Sequence, residues 1–121
     1  MTITFHAADL TVDELEENLL QPPSAQPLDG DITTRSRVYF TDETHGIISG
    51  TWESEPGAAR WEFTHRGEII TVISGTMTVH EDGGEPVQLS PGDTAYFPIG
   101  WNGVWTVHER LRKAFVVYLG I

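Results

Sequence analysis

From Arg35 onward, apolar and polar residues alternate in short runs, and the runs are separated by glycine, proline and aspartate. A period of two over four to eight residues is the mark of a half-buried β-strand. Runs at about 35–40, 47–54, 59–65, 69–74, 76–81, 86–90, 93–97, 102–108 and 112–119 therefore read as strands. Asp82-Gly83 stands between two of them and suits the positive φ of a tight hairpin turn. Gly50 lies inside another, where a missing side chain permits a bend. So many short strands with regular turns predict an antiparallel sandwich or barrel.

Ahead of Arg35 the pattern differs. Thr11-Val-Asp-Glu14 has the form of a capping box, and Val12, Leu15 and Leu19 follow at helical spacing. These predict a helix over about 12–20, stopped by Pro22-Pro23 because proline cannot continue the hydrogen-bond ladder. Residues 21–34 read as an irregular arm. The expected organisation is thus a helix and acidic arm at 1–34, packed outside an all-β domain at 35–121.

Alternation also assigns faces. Glu68, Ile70 and Val72 share one face, and Gly103, Trp105 and Val107 share another. Glu62 and Thr64 are expected to point into the barrel, which turns Trp61, Phe63 and His65 outward. Such a row is too apolar for solvent and predicts a homodimer interface.

Composition narrows the function. At 121 residues the chain makes one domain with a core of its own, and it has no cysteine for disulfide or thiolate chemistry. Its formal net charge of −11 argues against a nucleic-acid partner. Seven acids and no lysine or arginine precede Arg35, which reads as a solubilising segment. No apolar run approaches the roughly 20 residues of a membrane helix, and the first residues lack the pattern of a secretory signal. A cytoplasmic setting without membrane contact is expected.

Gly50-Thr-Trp52-Glu53, Pro56-Gly57, Glu68, Gly75, Asp82-x-Gly84, Pro91-Gly92-Asp93, Phe97-Pro98-x-Gly100-Trp101, Trp105 and Arg112-Lys113 occur in an order and spacing that resemble the cupin superfamily. The likeness is greatest to small single-domain cupins of the (S)-ureidoglycine aminohydrolase and ethanolamine-utilisation type. It implies a double-stranded β-helix, or jelly roll, and a small nitrogenous metabolite as ligand or substrate. In metal-binding cupins the first motif carries His-x-His three or four residues before the glutamate, and the second carries a further histidine. Here Glu68 stands at the glutamate position. Counting back by three reaches Glu62 and Thr64, counting back by four reaches Trp61 and Phe63, and the last position is Gly103. No metal site is therefore expected, beyond weak divalent-cation binding at Glu62 and Glu68.

The candidate chemistry centres on Glu68 as functional carboxylate with Glu62 as its partner, two acids able to share a proton in a dry cavity. Arg60 and Thr64 would extend this set toward a ligand. Trp52, Trp101, Trp105, Tyr96 and Tyr118 would form an aromatic wall. Arg112 and Lys113 are further candidates for binding a substrate carboxylate. Three functions follow: a small-molecule-binding or small-molecule-processing cupin, a non-catalytic metabolite sensor, or a structural barrel with a filled core. An open cavity on which Glu62, Glu68 and Arg60 converge favours the first two, and an interior filled by Trp105, Ile70 and Val72 favours the third.

Overall fold

The computed structural model describes residues 1–120. Its strands are β1 (Glu16–Leu19), β2 (Ala25–Pro27), β3 (Thr33–Asp42), β4 (Ile47–Ser54), β5 (Gly57–Glu62), β6 (Arg66–Ser74), β7 (Met77–Glu81), β8 (Pro86–Leu89), β9 (Thr94–Phe97), β10 (Asn102–Val107) and β11 (Leu111–Leu119). They form two antiparallel sheets facing each other, in the orders β1-β3-β4-β11-β6-β9 and β2-β5-β10-β7-β8. This is a jelly-roll barrel, and every strand expected after Arg35 is present within a few residues of its expected bounds. Gly50 does mark an irregularity, but the bulge lies on the neighbouring strand, between Val38 and Phe40 of β3. A Cβ at Gly50 would stand 2.0 Å from the Arg37 carbonyl oxygen, so the bulged strand closes onto a position that only glycine can fill.

The N-terminal segment departs from expectation. No α-helix forms over 12–20; Val12–Glu14 makes one 3₁₀ turn without a side-chain cap from Thr11, and the chain then extends into β1. An isolated helix of that length is marginal in water, whereas the open edge of β3 offers a row of backbone partners. The arm does not pack outside the barrel either. β1 pairs with β3 in one sheet, and β2 pairs with β5 in the other. Leu20, Ala25 and Ile32 accordingly join the hydrophobic core.

On the opposite side of the six-stranded sheet, the first residues are clasped by Arg112. Its guanidinium donates to the carbonyl oxygens of Ala7 and Leu10, at 3.0 and 2.5 Å, and to Glu53 Oε2 at 2.6 Å. Arg35 Nη1 donates to the same Glu53 carboxylate at 3.1 Å. Glu53 is buried, yet its charge is fully met.

The faces of β5 are the reverse of those expected. Trp61 and Phe63 are buried at 4% and 0% exposure, whereas Glu62 and Thr64 face solvent. Two large rings have far more to gain from the interior than a carboxylate and a hydroxyl do. The four-residue count back from Glu68 is thus the one that matches the inward positions. One ground for a homodimer interface goes with this, since two of the three residues in the supposed outward row belong to the core; the other, the need of open edge strands for cover, is untouched by it.

Candidate functional site

One end of the barrel is filled and the other is open. Phe63 stacks on Phe97 at 5.6 Å, Trp61 stacks on Trp105 at 4.1 Å, and Trp101 meets Phe97 edge-on at 5.0 Å. With Ile70 and Val72 these rings close the interior. Beside them a cavity of about 390 Å³ remains between the six-stranded sheet and the arm. Trp52 of β4, Trp61 of β5, Glu68 of β6, and Lys113, Phe115 and Val117 of β11 line it. Its outer wall is the segment 18–24, which passes from one sheet to the other as β1 gives way to β2. The volume lies in the ordinary range of small-molecule sites, about 300–1,000 Å³.

The inward alternation of β6 brings Arg66 and Glu68 to this cavity, and that of β11 brings Lys113, Phe115 and Val117. Glu68 lies across from Val117, and Lys113 lies across from Val72, so the two charged residues start four positions apart along the strands. The two side chains reach toward each other along the strands, and Lys113 Nζ donates to Glu68 Oε2 at 2.5 Å. Both side chains are almost fully buried, at 2% and 5% exposure. The ammonium lies 4.4 Å from the Trp52 ring centroid and 4.5 Å from that of Trp105, with Trp61 at 5.5 Å. Cation–π attraction on three indoles supplements the ion pair. Burial pushes the Lys113 pKa below its ordinary value; the Glu68 charge opposes this, and the like charge of Arg66 adds to it.

The candidate residues divide by face. Glu68, Trp52 and Lys113 meet at the cavity, and Trp105 lies under the Lys113 ammonium. Trp101 is in the filled end. Arg60 and Glu62 are on the outer face of β5, where Arg60 grips Asp82 at 2.6 and 3.1 Å and Glu62 at 3.4 Å. Thr64 is exposed in the bend before β6. Tyr96 and Tyr118 hydrogen-bond through their hydroxyls at 2.8 Å on the outside of the six-stranded sheet. Arg112 belongs to the N-terminal clasp on that same outer side. Glu62 and Glu68 therefore cannot share a proton or a divalent cation, because the reversed parity of β5 puts them on opposite faces.

The donor set does not fit the metal site that the fold's metal-binding members carry. Trp61 and Phe63 occupy two ligand positions and offer no donor atom. At the third, a Cβ on Gly103 would stand 2.3 Å from the His80 carbonyl oxygen and 2.7 Å from the Trp101 indole, so no side chain enters there. Among the described residues no three histidine, aspartate or glutamate side chains converge.

Sequence reasoning missed Trp61, Phe115, Arg66 and the arm as parts of the site. The run Leu19-Leu20 and the isolated Ala25 and Ile32, apolar positions within an otherwise acidic arm, were the available signal for the last of these. The sequence offered Lys113 as one of several groups, with Arg60 or a water, that could neutralise a Glu62–Glu68 pair; nothing singled it out as the partner of Glu68.

A family profile described as the EutQ-like cupin domain matches residues 41–115. The EutQ protein of Clostridium difficile superposes with a TM-score of 0.63 at 24% identity, over 73% of this chain and 69% of that one. A protein of unknown function from Pseudomonas syringae pv. tomato, of the DUF861 family, gives a TM-score of 0.72 at 22% identity over 85% of this chain and 43% of that one. Ectoine synthase from P. lautus gives 0.66 at 15% identity, over 79% and 70%. These likenesses are of fold. No curated protein matches the chain.

Proposed function

The chain belongs to the EutQ-like cupin domain family, and from that premise we propose that it binds a small molecule in the cavity between the arm and the six-stranded sheet, with Lys113 and Glu68 as proton donor and acceptor at the ligand's polar end. The observation that carries this reading is the buried Lys113–Glu68 pair on the floor of an open pocket. Taking two charges out of water costs several kcal/mol per ion, and well-packed apolar residues would serve a purely structural barrel as well or better. A lysine with a depressed pKa beside a carboxylate in a cleft is also the combination that proton transfer requires. The filled-barrel alternative accounts for the burial of Trp105, Ile70 and Val72, and Glu62 and Arg60 do not converge on Glu68; it does not account for the cavity beside the buried Lys113–Glu68 pair. A nitrogenous substrate of the ureidoglycine type, the narrower expectation, rests on the resemblance alone.

The test is a thermal-shift panel of small metabolites, run with and without divalent ions. A ligand that binds only the native state raises the melting temperature by mass action. The gain should be the same without metal and should be lost in Glu68→Gln and Lys113→Met. A gain that survives both substitutions would place the binding site elsewhere.

A further inference from the structure

The fixed charges around the cavity do not cancel. Lys113 and Glu68 neutralise one another, and among the described residues the only other ionisable side chain on the lining is Arg66. In a chain with 18 acidic and 7 basic residues, a basic group without a carboxylate is unusual. Arg35, Arg60, Arg110, Arg112 and Lys113 all have one within 4 Å. Among the described residues Arg66 has none, and the remaining exception, Arg37, lies over the Tyr39 ring outside the barrel. Arg66 is nonetheless held in place. Its Nη2 donates to the Ser24 carbonyl oxygen at 3.1 Å, and its guanidinium carbon lies 5.1 Å from the Phe63 ring centroid. One backbone contact uses one of five N–H donors and leaves the planar fork able to meet an anion in two-point fashion.

The rest of the lining is suited to an apolar body. Trp52, Phe115 and Val117 face the arm residues Leu20 and Pro22 across the cavity. We infer that the pocket selects a small organic carboxylate, its anionic end on Arg66 and its apolar body between Trp52, Phe115 and Val117. This rests on the pocket reading above and adds a ligand class and a specificity-determining residue to it. Ligand charge is then set by Arg66 at the rim. The Lys113–Glu68 pair meets a second polar group of the natural ligand, the one to which the reading above assigns proton exchange, and the simple probes below leave that group out to isolate the Arg66 contact.

Calorimetric titration at neutral pH with matched probes tests this. One set is benzoate, benzamide and benzylammonium; the second carries the same three head groups on a 3-methylbutyl body. On at least one body the carboxylate should bind about tenfold or more tighter than its amide, as a charge-assisted bidentate contact warrants, and the ammonium should bind worst. Arg66→Met should bring the carboxylate down to the level of the amide, and Arg66→Lys should restore part of the difference. Equal binding of amide and carboxylate, or tighter binding of the ammonium, would overturn the anion inference and leave the pocket reading standing. No binding of any probe on either body would count against both.

Discussion

At the scale of single residues, Lys113 and Glu68 depend on each other. Removing one partner leaves a buried charge uncompensated, so Lys113→Met or Glu68→Gln should each lower unfolding stability by about 3–5 kcal/mol in urea titrations. Replacing both with methionine removes the desolvation cost together with the attraction, and the double variant should recover most of that loss. If each single variant costs less than about 1 kcal/mol, the pair behaves as a surface ion pair and its assigned burial is wrong. Gly103 makes a second residue-scale case. Its Cβ position is already taken by the His80 carbonyl oxygen and the Trp101 ring. Gly103→Ala should cost about 1–3 kcal/mol as an overpacking change, visible as a lower urea midpoint with an unchanged slope.

At the scale of elements, β3 and the ends of β4 and β11 are tied together by charge. Glu55 accepts from Arg35 Nη1 at 2.8 Å, with Arg110 Nε at 2.9 Å. The Arg35 hydrogen bond, aided by the nearby Arg110 charge, holds the Glu55 carboxyl below its ordinary value of 4.5. The unfolded chain then binds the proton more readily than the folded one. The stability from this contact is present above about pH 4.5 and is lost as pH falls through the lower folded value. Denaturation followed from pH 6 to pH 3 should show that loss, and Glu55→Gln should flatten it. An unchanged acid limb in the variant would shift the effect to other carboxylates. Arg112 binds the first residues to the same sheet, through two backbone carbonyls and Glu53. In hydrogen exchange, Arg112→Met should deprotect the amides of residues 7–15 before those of β6 and β11, because that segment would lose its main polar anchor.

At the scale of the whole molecule, the barrel keeps its fold while its interior chemistry changes. Indole and phenyl rings stand at two metal-ligand positions, and a glycine with no room for a side chain stands at a third. The protein should therefore purify without stoichiometric zinc, iron, nickel or manganese, and EDTA should leave its melting temperature unchanged. One tightly held transition metal per chain by elemental analysis would refute the assignment of Trp61 and Phe63 to those positions. The closed end of the barrel is then rigid stacking, and the open end is bounded by a segment that belongs to both sheets.

Much of this architecture was legible from local pattern. The nine strands after Arg35, the special role of Gly50 and the inward face of Glu68, Ile70 and Val72 all follow from alternation and turn chemistry, which act over a few residues. The phase of β5 did not follow. The bend from Phe63 to His65 interrupts the alternation, so its parity cannot be carried from β6 back to Trp61, and the burial of two aromatic rings decides it. Glu62 and Arg60 were misplaced for that one reason. The helix expected at 12–20 was a local preference outweighed by an open strand edge, which exists only once β3 and β4 have paired. Lys113 reaches Glu68 across 45 residues of sequence and four positions of register. Local pattern determined that a carboxylate would face the interior; long-range strand pairing decided which cation meets it, which rings surround it and which segment covers the cavity.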